Sequence, residues 1–149
     1  MKKLNKKGFT LIELLAVIVI LGVLMLVAIP AVTRYIERSR RSSFVSNVSS
    51  YIDAASNQVA YKGANLGTGG CVQDIGTLQL DKKPSGYSGY IKITKDDNDT
   101  YTYSVYITNN DYHFENVTSA SITEDNATKG SKTMTTPTAT TEVPLCNLQ

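Results

Sequence analysis

The sequence is short of the side chains that do chemistry. It has one histidine, His113, and shows neither a nucleophile-base pattern nor a phosphate loop, so it offers nothing to catalyse with. Its two cysteines, Cys71 and Cys146, stand far apart and outside any metal-ligand spacing. Residues 14–32 contain no polar side chain at all, which sets that stretch apart from the ordinary soluble composition that begins near Lys62. These shortages point to no enzyme, no cofactor and no metal.

Positive charge is also scarce where a nucleic-acid surface would need it. The formal net charge is +2, but Lys2, Lys3, Lys6 and Lys7 all precede Gly8, and removing those four lysines turns +2 into −2. Beyond Arg41 the acidic residues outnumber the basic ones, so no direct nucleic-acid binding is expected of the globular part. The one basic cluster after the leader is Arg34, Arg38, Arg40 and Arg41. At the point where the apolar run ends it suits headgroup anchoring or salt bridges between packed subunits, or a solvated helix face partly neutralised by Glu37.

At 149 residues the chain has room for one domain and an appendage. Residues 1–8 form a basic leader, and Phe9 opens an apolar run of about 24 residues broken early by Thr10 and Glu13. A bilayer asks for about 20. An ordinary secretory signal has a shorter apolar run with its small-residue cleavage site after it. Here the small residue, Gly8, comes before the run, so cleavage there would leave residues 9–32 on the mature protein as a hydrophobic, transmembrane-length helix. The leader lysines favour a cytoplasmic N-terminus and an external bulk. If the chain is exported, one Cys71–Cys146 bridge is the natural expectation, the alternative being two buried thiols. Closing a loop of about 76 residues would stabilise the fold by roughly 4 to 4.5 kcal/mol in the chain-entropy account.

Helical spacing continues past the apolar run. Val32, Ile36, Phe44, Val48, Ile52, Ala55 and Val59 recur every three or four residues among Ser, Asn, Asp and Gln, making residues 33–62 an amphipathic second half of the same helix. Such a helix is on the order of 80 Å long at 1.5 Å per residue. Only its second half has a stripe to pack under a head, so the first half should protrude. Gly63, Gly67, Gly69 and Gly70 then end it. Residues 63–149 read as a β-rich head. Residues 90–95 and 100–108 alternate as strands around the turn Asp96-Asp97-Asn98-Asp99, and residues 112–118 follow after Asn109-Asn110-Asp111. The fold class is α+β: a long helix packed on an antiparallel sheet of three or four strands. The Thr- and Ser-rich remainder reads as loop with one short strand near residues 132–136.

The string G-F-T-L-I-E, residues 8–13, with the lysines before it and Gly22 and Pro30 within the apolar helix, resembles the N-terminal signature of type IV pilins and pseudopilins. The resemblance covers roughly residues 2–41. It implies cleavage between Gly8 and Phe9 by a membrane prepilin peptidase, which commonly also methylates the new amino group of Phe9. It implies that Glu13 pairs with the amino-terminal nitrogen of Phe9 on a neighbouring subunit. A carboxylate in a transmembrane segment costs roughly 2.5 to 3.5 kcal/mol, so a partner is expected by default; snorkelling to the headgroups is the plainer alternative. Pro30 should kink the helix, and in related filaments the stretch between Gly22 and Pro30 is partly unwound. The implied function is a structural subunit of an extracellular helical homo-oligomer, held in the cytoplasmic membrane before assembly and served by an assembly platform and separate ATPases. A pseudopilin of a secretion or DNA-uptake machine, and an unpolymerised membrane-tethered binding domain, are the alternatives.

Among weaker candidates, residues 96–99 have the oxygen atoms of a calcium loop but lack its glycine and distal glutamate, and a hairpin turn is expected. Asn47, Asn98, Asn116 and Asn126 each begin an N-glycosylation triplet. His113, alternating with Tyr112 and Phe114, is expected at the surface.

Overall fold

The computed structural model describes residues 9–64, 66–146 and 148; the leader, including Gly8, lies outside them. The chain divides into two compact units, Met1–Ser39 and Arg40–Gln149. Helix α1, Leu11–Lys62, is continuous in sequence across both. Within the first unit every described residue of the helix is exposed or, at Glu37, half-buried. The helical backbone runs unbroken through Gly22 and Pro30. Pro30 cannot donate to the carbonyl of Leu26, and close by the Thr33 hydroxyl donates to the carbonyl of Ile29 at 2.9 Å. The helix stops where a left-handed residue is needed: Gly63 has φ +73° and its N–H donates to the Val59 carbonyl at 2.8 Å.

In the second unit the helix packs through Phe44, Val48, Tyr51, Ala55 and Val59, spaced by four, three, four and four. The centre of the stripe is Tyr51 rather than Ile52, which is only half-buried. Opposite them lie Ile91, Ile93, Tyr103, Val105, Ile107, Tyr112 and Phe114 in one core. Phe44 is its hub, with ring centroids 5.8 Å from Tyr87 and Tyr112 and 5.1 Å from Phe114. Tyr51 is buried, and its hydroxyl reaches the Pro84 carbonyl at 3.2 Å, so the polar tip does not go unpaired.

The sheet is an antiparallel meander in sequence order: β1 (Cys71–Asp74), β2 (Ser88–Lys95), β3 (Tyr101–Thr108), β4 (Tyr112–Thr118) and β5 (Thr128–Lys129). It has five strands where three or four were expected. The additional strands are short, four residues and two, below the length at which alternation shows. A bulge between β3 and β4 leaves Asn116 unpaired at φ +54°, and its side-chain oxygen accepts the Tyr106 hydroxyl at 2.8 Å. The strand expected near residues 132–136 is not formed. That segment instead crosses the sheet as irregular chain, anchored by side-chain bonds. Behind β1 the chain returns so that the Cys146 N–H donates to the Val72 carbonyl at 3.0 Å, and a disulfide joins Cys71 to Cys146.

Candidate functional site

The N-terminal end of α1 is built by two residues of the sequence string. Thr10 sits ahead of the first helical turn and Glu13 three residues on. The Glu13 carboxylate accepts the Thr10 backbone N–H at 2.7 Å and the Thr10 hydroxyl at 2.8 Å, while the Thr10 hydroxyl accepts the Glu13 N–H at 3.3 Å. This is a reciprocal capping box, in which donors that the first turn leaves orphaned are satisfied by the side chains at its two ends. Phe9 precedes it, 91% exposed. Within one chain, Glu13 therefore bonds to Thr10.

From Leu11 to Ile36 the large apolar side chains are exposed on every side of the helix. This is the one helix among the described residues long and apolar enough to cross a membrane, and its apolar window has no buried residue. An all-round apolar helix is stable only when another apolar medium surrounds it, either lipid or other helices.

Comparison with known proteins places these features. Residues 3–29 match the prokaryotic N-terminal methylation motif. The chain carries a type IV pilin-like signal. Its long helix and small open antiparallel sheet form the pilin-like α+β fold that goes with such a signal. The pilin-like chain is also similar to the fimbrial protein EcpC of Eikenella corrodens, with 41% identity over 63 residues, or 42% of this chain and 41% of that protein. It thus spans about two fifths of the length of the curated relative it matches. No solved structure matches it. The apolar helix fits a membrane-anchored precursor.

The remaining sequence candidates fall in different places. The arginine cluster is split between the two units. Arg40 pairs with Asp111 at 3.6 Å, and Arg41 donates to the Glu124 carbonyl at 3.4 Å with its guanidinium 5.6 Å from the centre of the Tyr112 ring. These two side chains thus engage the head of their own chain, whereas Arg34 and Arg38 belong to the first unit.

Residues 96–99 form the β2–β3 hairpin turn: Asp96 Oδ1 accepts the N–H groups of Asn98 at 2.9 Å and Thr100 at 2.8 Å, and Asp99 takes φ +66°. Asp99 also pairs with Lys95 at 3.0 Å, which holds the lysine above its ordinary pKa. Among the described residues, no group of three or more His, Cys, Asp or Glu is placed to hold a metal ion. His113 is half-buried rather than at the surface, with Nδ1 2.8 Å from the Gly130 carbonyl. Two glycosylation-type asparagines have their amide nitrogens engaged internally, Asn47 with the Tyr87 hydroxyl at 2.9 Å and Asn126 with the Ser121 carbonyl at 2.6 Å. The residue that sequence reasoning passed over is Thr10, treated there as an interruption of the apolar run. Its signal was legible, since T-L-I-E has the threonine-to-glutamate spacing of a capping box.

Proposed function

We propose that this chain is made as a membrane-held precursor, cut between Gly8 and Phe9 by a prepilin peptidase, methylated at Phe9, and polymerised through its apolar helix into an extracellular filament. The observation that carries this reading is the helix, exposed and apolar on all sides, that makes up most of the matched methylation motif. In lipid that surface is satisfied before assembly; in a bundle of identical helices it is satisfied afterwards by packing. Cleavage matters because it creates a cationic amino group at Phe9, one turn from the Glu13 carboxylate. Two such chains, staggered by about one turn, bring the amino group of one to the carboxylate of the other. Both charges leave water only as a pair, which is the condition under which a buried ion pair is tolerated.

The capping box fits this sequence of events. Before assembly, Thr10 supplies Glu13 with two donors. A carboxylate has lone pairs for more than two, so a neighbouring ammonium can be added without dismantling the cap. Similarity to a fimbrial protein supports the filament. Work for assembly comes from separate ATPases acting through a membrane platform, since this sequence carries no phosphate loop. Gly22 and Pro30 give the helix its places to yield when the bundle is stretched.

The test is Glu13→Ala in cells that normally express the chain. Processing at Gly8 should persist while sheared surface filaments fall at least tenfold. Normal filament yield from this variant would remove the pairing from the account.

A further inference from the structure

Arg34 and Asp53 are two charges on α1 that their own chain does not use. The other arginines of the cluster are committed: Arg40 pairs with Asp111, Arg41 reaches Glu124 and the Tyr112 ring, and Arg38 is engaged within its own chain. Arg34 is exposed and has no hydrogen bond or ion pair among the described residues. The same holds for Asp53, the one charged side chain of the helix between Arg41 and Lys62.

Asp53 borders two open grooves in the head. Ile52, Tyr103 and Ser119 help to line one, and Ala54, Leu80 and Asp81 the other, so each offers apolar surface beside the carboxylate. The helix face between them can be dried without orphaning its hydroxyls. Ser49 donates to the Val45 carbonyl at 3.1 Å and Ser50 to the Ser46 carbonyl at 3.1 Å. A hydroxyl bonded back to its own helix needs no water, whereas a lysine or glutamate there would, and residues 42–61 contain neither. Serine is a weaker helix former than the long charged residues that usually cover a solvated face. Once such a face is covered, Asp53 is the group that still requires a partner, because a carboxylate that leaves water alone is strongly destabilising. The partner has to be a cation. Arg34 lies beside Val32, Tyr35 and Ile36, large apolar side chains that are all exposed. The segment that carries the free cation therefore also carries apolar surface for the grooves.

We propose that Arg34 of one copy docks on Asp53 of another, seating the end of one apolar helix between the two grooves of its neighbour's head. The guanidinium can meet the carboxylate through two parallel N–H···O bonds, a geometry that fixes orientation as well as charge. The two positions are 53 − 34 = 19 residues apart, which is about 28 Å of helix at 1.5 Å per residue. This neighbour is therefore a different one from the copy whose amino group meets Glu13 at an offset of about one turn. Contacts at two offsets tie each chain to two neighbours, which sets the register of a bundle where one contact would set only a pair. The inference rests on the filament reading and adds to it the partner of the head's exposed helix face.

The experiment uses the full chain in cells that normally express it and reads two quantities, the yield of sheared filaments and the mass of the N-terminal peptide. Asp53→Arg should lower the yield about tenfold or more, as expected for an unpaired charge in a covered interface, with the chain still beginning at Phe9 and its disulfide intact. Arg34→Asp should do the same. The chain carrying both reversals should return to within about threefold of wild type, the non-additivity expected of residues in contact. A second readout does not depend on reversed charges. Filaments of the chain carrying Arg34→Cys and Asp53→Cys, in which neither position holds an unpaired charge, should give a ladder of covalent multimers with a short bis-maleimide. Neither single cysteine variant should give it. Wild-type yield from Asp53→Arg, a double reversal as poor as either single one in chains processed to Phe9, or double-cysteine filaments without a ladder would overturn the proposal and leave the filament reading standing. An absence of filaments from wild-type cells would overturn both.

Discussion

Thr10 and Glu13 do two jobs with four atoms. Their bonds close the first turn of α1, and in the proposed assembly they also fix the carboxylate that a neighbour's amino group would meet. Replacing Thr10 with Ala removes both side-chain bonds, at a cost of about 1 kcal/mol to the helix end. Hydrogen exchange in detergent micelles should show the amides of Leu11, Ile12 and Glu13 exchanging several-fold faster, with the amides beyond Val17 unchanged; unchanged exchange throughout would mean that the cap is not formed in an apolar medium.

Tyr51 allows a second test at the same scale. Burial, reinforced by Tyr87, raises its phenol above the ordinary value of 10.0. A group with a raised folded-state pKa contributes stability that is fully present below the unfolded pKa and is lost as pH rises through the folded one. The head of the wild-type protein should therefore lose stability on titration above about pH 10, and Tyr51→Phe should flatten that loss. The same variant forfeits the bond to Pro84, about 1 kcal/mol at neutral pH. An alkaline melting curve identical for the two proteins would assign the titration to another group.

Among the elements, those with a sustained period could be read before the fold was known. The helix stripe through Phe44, Val48, Ala55 and Val59 and the alternation through β2, β3 and β4 are both local properties, repeated often enough to stand out. Elements created by tertiary pairing could not be read in this way. β1 is a strand because Cys71–Asp74 lies along β2 and is tied from behind by Cys146, and β5 is two residues attached to Tyr112 and His113. The segment at residues 132–136 alternates like a strand because its side chains are anchored across the sheet, with no ladder to join. Ile52 fits the three- and four-residue spacing as well as Tyr51 does, and only the position of the sheet decides between them. The disulfide is the strongest single constraint on these non-local elements. It closes a sequence separation of 75 residues. Replacing both cysteines by serine should lower head stability by about 2 to 5 kcal/mol, read by thermal melting. The loss should be accompanied by faster proteolysis at residues 133–145, since that segment would lose its C-terminal pin; a melting temperature within one degree or so of wild type would show that β1 and the core hold that end without it.

At the scale of the whole molecule, the chain divides into a unit with almost nothing buried and a unit with a complete core. That division follows from composition, because residues 14–32 have no polar side chain to solvate. The candidate site was legible for the same reason: a glycine, a threonine and a glutamate at fixed spacing ahead of an apolar helix form a local pattern. The roles of Arg40 and Arg41 were not legible, because their partners Asp111 and Glu124 lie about 70 to 80 residues away and are brought near only by the fold. The central claim is that an apolar helix, freed at its N-terminus, is the assembling element. The most direct measurement is the mass of the N-terminal peptide from filaments sheared off expressing cells. The account predicts a peptide beginning at N-methylated Phe9. A surface fraction in which the chain still begins at Met1, with the lysine leader attached, would contradict it.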